Sequence, residues 1–237
     1  QLKVTGQDTI LVQSPKFFTS LNGMLTSIPV ADWKTYLEWN VLKNSASHLS
    51  SPFVNANFAF NAAQTGQRVQ TPRWQRMASL TDNNIGELLG QLYVAKYFKP
   101  EAKARMTELI KNLRTAFEMR IKSLDWMSAE TKTSALAKLH AFTPKIGYPD
   151  QWKTYDGLTI TPTTYFQNLR NADKWKYNEM VSQLGKPVDR TRFGMTPPTV
   201  NAYYSPTMNE IVFPAGILQF PFFAPEADDA INYGGIG

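Results

Sequence analysis

The chain of 237 residues is long enough for one large domain or two small ones, and 43% of its residues are hydrophobic. An aromatic content of 13%, with no long charged or polar tract, excludes a disordered chain. The net charge is +6, but the 25 Lys and Arg residues are scattered singly, a pattern that disfavours a nucleic-acid-binding surface.

The sequence contains no cysteine, which excludes disulfides, thiol catalysis and thiolate zinc sites in these residues. A hydrophobic core of this size can be stable without disulfides, so the absence of cysteine does not exclude an exported protein. No apolar run approaches the roughly 20 residues that span a bilayer, and no transmembrane segment is predicted. The chain opens with Gln1 and shows no signal peptide, as expected of an internal fragment or of a mature chain without its leader.

Pairs of a hydroxyl residue and a proline predict several helix starts, because the hydroxyl can cap the helix and proline suits its first position. These pairs are Ser14-Pro15, Ser51-Pro52, Thr71-Pro72 and Thr161-Pro162. Lys99-Pro100 predicts a further start. Aromatic and aliphatic residues indicate additional helical segments at about 31–49 and 85–98, and a short extended segment is predicted at Ile10–Val12.

The helix after Pro100 has the clearest periodicity, since apolar residues recur at steps of three and four. They are Met106, Leu109, Ile110, Leu113, Phe117, Ile121 and Leu124. Ser128 is expected to cap the next helix. The helix after Pro162 is expected to turn a second apolar set inward, namely Phe166, Leu169, Tyr177, Met180, Val181 and Leu184, and to end near Gly185.

A β-hairpin is predicted near the C-terminus. Thr199–Tyr204 has the pattern of a short strand, 205–209 that of a turn, and Glu210–Phe213 that of a returning strand. If the first strand lies at a sheet edge, its backbone is free to pair with an extended peptide, and Asn201 could hold that peptide by its amide. The alternative is a buried hairpin in which Asn201 only satisfies a turn.

Catalytic groups are few. His48 and His140 lie in separate segments, and neither has a second histidine at the spacing of a helical zinc site. The sequence also lacks a P-loop and a nucleophile elbow. Asp228-Asp229 could bind a cation but fits better at the start of a final helix. No catalytic or metal-binding residue is therefore predicted in these 237 residues.

Several segments resemble the neprilysin/endothelin-converting-enzyme family of zinc metalloendopeptidases. They are Asn201-Ala202-Tyr203-Tyr204, the run from Ile211 to Gln219, Pro221-Phe222-Phe223 and Asn232–Gly237, together with the earlier blocks Leu124–Ser128 and Lys145–Pro149. The absence of cysteine and the segment Lys186–Thr191 are similar to the bacterial members. In that family, the C-terminal block runs directly into the His-Glu-x-x-His helix.

The resemblance implies a mainly α-helical fold with a small β-hairpin region that belongs to an α+β, thermolysin-like catalytic domain. It implies a helical lobe over residues 1–185, which encloses the substrate chamber, and the beginning of the catalytic domain over 186–237. Asn201 and Ala202 are then expected to bind the backbone of an oligopeptide substrate. Ile217 and Phe222 are expected to line the pocket for a bulky apolar side chain just after the scissile bond.

The resemblance also implies what residues 1–237 lack. Zinc is the expected cofactor, with its ligands downstream of Gly237, so these residues alone are predicted to be inactive. Their expected partners are an oligopeptide and the remainder of the catalytic domain, and the expected location is periplasmic or secreted. A non-catalytic peptide-binding module remains the alternative function.

Overall fold

The computed structural model describes residues 4–237, and helices dominate this part of the chain. The helices are α1 (Pro15–Ser27), α2 (Val30–Ser45), α3 (Ser51–Thr65), α4 (Arg73–Tyr97), α5 (Pro100–Ser123), α6 (Ala129–His140), α7 (Tyr165–Val181) and α8 (Asp229–Gly235), with a 3₁₀ turn at Ala46–His48. The strands are β1 (Thr143–Gly147), β2 (Tyr203–Ser205) and β3 (Glu210–Pro214). The predicted class, mainly α-helical with a small β region near the C-terminus, is confirmed.

The three strands form one mixed sheet in the order β1-β3-β2. The predicted hairpin is confirmed, because β2 pairs with β3 in antiparallel fashion, with Tyr203 opposite Val212. Its first strand is shorter than predicted, and Asn201 and Ala202 lie just before it. The parallel pairing of β1 with β3 was not predicted, since the two strands are far apart in sequence and Pro144 makes β1 an unusual strand.

Backbone contacts divide the chain into two compact units. One unit contains the described residues from 4 to 73 together with Thr159–Leu184, and so holds α1, α2, α3 and α7. The other contains Trp74–Leu158 and Gly185–Gly237, with the remaining helices and the sheet. The assignment of 1–185 to a helical lobe and of 186–237 to a catalytic domain stays a prediction.

The predicted helix starts are confirmed at Pro15 and Pro100. The helix α3 begins at Ser51, one residue early, and α7 begins at Tyr165, three residues late. The late start has a local cause. The side chain of Asn168 accepts a hydrogen bond from the N–H of Thr161 at 3.0 Å and donates one to its carbonyl at 2.6 Å, which holds Thr161 outside the helix.

Two predicted caps make the hydrogen bonds expected of them. Ser128 Oγ accepts from the N–H of Thr131 at 3.2 Å, at the start of α6. Asp228 Oδ1 accepts from the N–H of Ala230 at 2.8 Å, at the start of α8, so Asp228 acts as the N-cap of the final helix as predicted.

The core of the second unit forms between α5 and the sheet region. Its buried members are Phe98, Ala102, Met106, Leu109, Ile110, Ile146, Phe213, Ala215, Leu218 and Phe223. The predicted apolar face of α5 supplies Met106, Leu109 and Ile110, whereas Phe117 is 57% exposed. The prediction was therefore wrong at Phe117, although Leu113, one turn before it, packs on this core and Ile121, one turn after it, is buried.

The first unit leaves more apolar surface open. On α2, Trp39 is 60% exposed, and two residues predicted to face inward, Met180 on α7 and Leu184 in the turn after it, are exposed. Periodicity indicates an apolar face but does not say whether a partner within the same chain covers it. Ile10–Val12 forms no strand in the described chain. No helix within residues 4–237 combines the length and hydropathy required to cross a membrane.

Candidate functional site

The predicted peptide-binding pair lies beside an open sheet edge. Because β3 occupies the centre of the sheet, β2 is an outer strand, and its far side has no neighbouring strand in the described sheet. Asn201 is exposed and Ala202 is half-buried immediately before β2. Asn201 Oδ1 accepts the N–H of Ala202 at 2.8 Å. The edge position favours the hypothesis that Asn201 binds a peptide over the alternative of a purely structural role. The bond to Ala202 shows that the side chain also satisfies a backbone group of the next residue.

The segment before Asn201 is packed against α4. Thr196 Oγ1 donates to Asp82 Oδ2 at 2.9 Å. A Cβ atom at Gly86 would lie 2.3 Å from Thr196 Cγ2, and one at Gly90 would lie 2.7 Å from Pro197 Cδ. These distances are below van der Waals contact, so glycine at both positions is what allows this segment to approach the helix.

One face of the sheet carries a buried ion pair. Lys145 on β1 and Glu210 on β3 bring Nζ and Oε2 to 2.7 Å, with both side chains 6% exposed. Lys145 also donates to the carbonyl of Arg192 at 2.5 Å. The loop that precedes the edge strand is thus attached to the sheet by a buried charge whose counter-ion lies on the central strand.

Tyr203 ties the same loop to the edge strand itself. Its hydroxyl accepts the N–H of Gly194 at 2.9 Å. Partial burial raises the pKa of Tyr203 above its ordinary value, the Gly194 hydrogen bond opposes this, and the nearby Glu210 charge adds to it. Tyr203 on β2, Glu210 on β3 and Lys145 on β1 therefore form one electrostatic group that extends across the three strands.

The two expected pocket residues belong to the segment that follows β3. The N–H of Gly216 donates to the carbonyl of Pro197 at 2.8 Å, which brings the segment containing Ile217 beside the segment leading to Asn201. Ile217 is half-buried, and both it and Ala202 pack against the same hydrophobic core. The structure therefore places Asn201, Ala202 and Ile217 in one region of the second unit.

Phe222 is attached elsewhere in that unit. Its side chain is 41% exposed, while the next residue, Phe223, is 1% exposed in the core. A Cβ atom at Gly235 on α8 would lie 2.5 Å from the carbonyl oxygen of Phe222, so the backbone of α8 touches this segment directly. Phe222 is positioned by α8 and the core rather than by the edge strand.

Neither histidine belongs to a metal-binding group. His48 Nδ1 lies 3.1 Å from the hydroxyl of Tyr165, and His140 Nε2 lies 3.2 Å from Glu118 Oε2. Within residues 4–237, no three His, Cys, Asp or Glu side chains are grouped so that they could hold a metal ion. The donors present in this part of the chain do not fit a zinc site.

Sequence reasoning did not identify Lys145, Glu210 or Asn232 as structural determinants of this region. Lys145 and Asn232 lie in two of the segments that resemble the family, Lys145–Pro149 and Asn232–Gly237, but no local pattern distinguishes a buried lysine from a surface lysine. Only the long-range pairing of β1 with β3 brings Lys145 to Glu210.

Comparisons with known proteins decide the family. Two family models described as peptidase family M13 match the chain, over residues 1–149 and 201–237. The chain belongs to peptidase family M13. The resemblance to the neprilysin and endothelin-converting-enzyme group is thereby confirmed.

Curated relatives of this M13 chain include an endothelin-converting enzyme homolog from Locusta migratoria, which is 35% identical over 99% of the chain. Human endothelin-converting enzyme 1 is 34% identical over 100% of it, and Drosophila melanogaster neprilysin-3 is 33% identical over 99%. The chain spans about one third of these relatives, since it covers 34%, 32% and 31% of their respective lengths.

Solved structures of similar proteins support the same family assignment. The zinc metalloprotease ZMP1 of Mycobacterium tuberculosis, in complex with an inhibitor, is 41% identical with a TM-score of 0.89, covering 96% of this chain and 34% of that one. PepO from Lactobacillus rhamnosis is 30% identical with a TM-score of 0.76, covering 84% of this chain and 32% of that one. The identity to the mycobacterial protein supports the expected bacterial type.

Proposed function

We propose that the full-length protein is a zinc-dependent endopeptidase that cleaves oligopeptides before bulky hydrophobic residues. Residues 1–237 contribute the strand that binds the peptide backbone and a wall of the specificity pocket. The observation that carries this proposal is the open edge of β2, with the exposed Asn201 directly before it, in a chain of the M13 family.

The substrate backbone pairs with the edge of β2. A strand at a sheet edge presents N–H and C=O groups to an extended peptide, which adds to the sheet as a further strand. Asn201 exchanges its bond to the N–H of Ala202 for bonds to the peptide, since an amide side chain offers both a donor and an acceptor. Lys145 and Tyr203 hold the loop that precedes this edge strand through hydrogen bonds to the backbone of Arg192 and Gly194.

The specificity pocket is built from Ile217 and Phe222. Ile217 lies beside the segment that leads to Asn201, and Phe222 retains an exposed ring that a ligand can cover. Apolar surface beside a strand edge favours an extended peptide with a bulky apolar side chain at one position. The two residues act on the side chain that follows the scissile bond.

Zinc is held by residues outside 1–237. The donors within the described residues do not fit the metal, so the contribution of this chain is to bind and orient the peptide. Residues 1–237 alone have no peptidase activity. In the full-length protein, the remainder of the catalytic domain is their main structural partner, and residues 1–185 form part of the lobe that limits access to oligopeptides. The location is periplasmic or secreted.

The test uses the full-length protein and a set of oligopeptides whose products are mapped by mass spectrometry. Cleavage before Phe or Leu is expected, with loss of activity after chelation and recovery on addition of zinc. Peptide binding without cleavage in the zinc-loaded protein would contradict the proposal and favour the alternative, a non-catalytic peptide-binding module.

A further inference from the structure

We infer that Asn232 is a positioning residue that sets substrate selectivity by holding the backbone that carries Phe222. The inference rests on the proposed function, because it concerns the same pocket. It adds a residue on α8 that touches no substrate and that determines where the pocket wall lies.

The first observation is a pair of hydrogen bonds made by a buried amide. Asn232 is 1% exposed. Its Nδ2 donates to the carbonyl of Ala224 at 2.9 Å, and its Oδ1 accepts the N–H of the same residue at 2.9 Å. One side chain thus satisfies both polar backbone groups of Ala224, two residues after Phe222, at a place where unsatisfied groups would be costly.

The second observation is the close approach of α8 to Phe222 itself. The contact between Gly235 and the Phe222 carbonyl leaves no room for a Cβ atom, as the 2.5 Å distance shows. Asn232 and Gly235 are one helical turn apart and both face the 222–224 segment. The helix therefore holds this segment at two points, through a side chain at one and through its own backbone at the other.

The residues that follow Phe222 are also held by the core and by α5. Phe223 is buried in the core, and the guanidinium of Arg105 on α5 donates to the carbonyls of Pro225 and Ala227. Arg105 also lies 2.7 Å from Asp229 Oδ1 at the start of α8. With the residues that follow it restrained in this way, Phe222 presents its side chain from a backbone of defined position.

A pocket discriminates between side chains only as sharply as its walls are positioned, because a wall that can move accepts several sizes. Losing the Ala224 bonds removes a restraint two residues from Phe222 and leaves the Gly235 contact, Phe223 and Arg105 in place. The expected consequence is a pocket that still binds peptides but selects less strongly among the residues that follow the scissile bond.

The test compares Asn232→Leu and Asn232→Asp with the wild type in the full-length protein. Leu has a similar volume and makes neither hydrogen bond, whereas Asp keeps the acceptor and places a charged oxygen against the Ala224 carbonyl. Two peptides that differ only in Phe or Ala after the scissile bond are cleaved in competition. The product ratio is independent of how much enzyme is active, so partial misfolding does not change it.

Both variants are expected to lower the Phe-over-Ala preference by about threefold or more. The affinity ratio of the same two peptides for the chelator-treated protein is expected to fall in the same direction. Asn112→Ala is the matched control, since Asn112 is exposed and donates to the hydroxyl of Tyr233 on α8 at 3.0 Å. It is expected to keep the wild-type ratio.

An unchanged ratio in folded Asn232 variants overturns the inference if Phe222→Ala does lower the ratio. If Phe222→Ala has no effect either, the proposed pocket itself fails. Hydrogen exchange in the wild-type protein provides a measurement that needs no variant. The Ala224 amide is expected to be protected, and exchange at the rate of an exposed amide would overturn the inference.

Discussion

Lys145 Nζ lies 2.7 Å from Glu210 Oε2, and the two side chains, on neighbouring parallel strands, are each only 6% exposed. A buried pair of this kind adds little net stability over an apolar pair, but it is costly to break on one side. Its position therefore matters more than its energy: it joins β1 to the central strand and holds the Arg192 carbonyl beside the edge strand.

Lys145→Met is expected to destabilise the full-length protein by about 3 kcal/mol or more, because Glu210 then remains buried without a counter-ion. Urea unfolding measures the change. The double variant Lys145→Met/Glu210→Met is expected to recover most of the loss. Lys122→Met is the control, since it breaks an exposed pair with Glu118, and its unfolding midpoint is expected to stay unchanged. Equal losses of stability in Lys145→Met and Lys122→Met would contradict the argument.

Asn201→Ala is expected to lower kcat/KM for oligopeptides about tenfold while leaving thermal stability nearly unchanged. The side chain is exposed and accepts a hydrogen bond from the adjacent N–H of Ala202, so the fold depends on it only weakly. Turnover and melting temperature are measured on the same preparation, with Asn112→Ala as the control. Normal turnover by a folded Asn201→Ala protein would exclude a role in substrate binding.

Phe222→Ala is expected to shift the cleavage map on a peptide library away from large apolar residues after the scissile bond. Removing the ring enlarges the pocket and takes away the surface that such a residue covers, which typically changes discrimination by about tenfold or more. Phe117→Ala is the matched control, because Phe117 is an exposed phenylalanine on α5. An identical map for Phe222→Ala would rule out the proposed wall.

Tyr203→Phe is expected to cost about 1 kcal/mol at neutral pH, through loss of the bond from Gly194. The pKa of Tyr203 is raised above 10.0 in the fold. Its stabilising contribution is therefore complete below the ordinary tyrosine pKa and is lost as pH rises toward the raised value. The variant should lose stability less steeply over this alkaline range, as measured by unfolding at several pH values. A parallel decline in both proteins would contradict this.

Gly90→Ala is expected to destabilise the second unit and raise KM for peptides, since the new Cβ would meet Pro197 at 2.7 Å and displace the segment leading to Asn201. Gly23→Ala on α1 is the control, with no atom within 4 Å of the new Cβ. It is expected to stabilise its helix by about 0.5–1 kcal/mol. Unfolding midpoints and KM values distinguish the two variants. If Gly90→Ala changes neither quantity, close packing between Gly90 and Pro197 is contradicted.

Much of the secondary structure was predictable, because it depends on neighbouring residues. The caps at Ser128 and Asp228 and the hairpin before Pro214 follow from short-range geometry and were confirmed. The start of α7 was misplaced because Asn168 binds back to Thr161, a side-chain choice that competes with helix capping. Met180 was wrongly expected inside, since an apolar face indicates a potential contact rather than an actual one.

The sequence by itself determined the family, the mainly helical class and the presence of the hairpin that carries the candidate site. Specific motifs and local periodicities do not depend on how the helices and strands pack, so they can be recognised without a tertiary structure. Only the tertiary structure decided that β2 is an outer strand, that Lys145 meets Glu210, and that Asn232 holds the segment after Phe222. These relationships join residues distant in the chain or depend on which groups are buried, and both are set by packing.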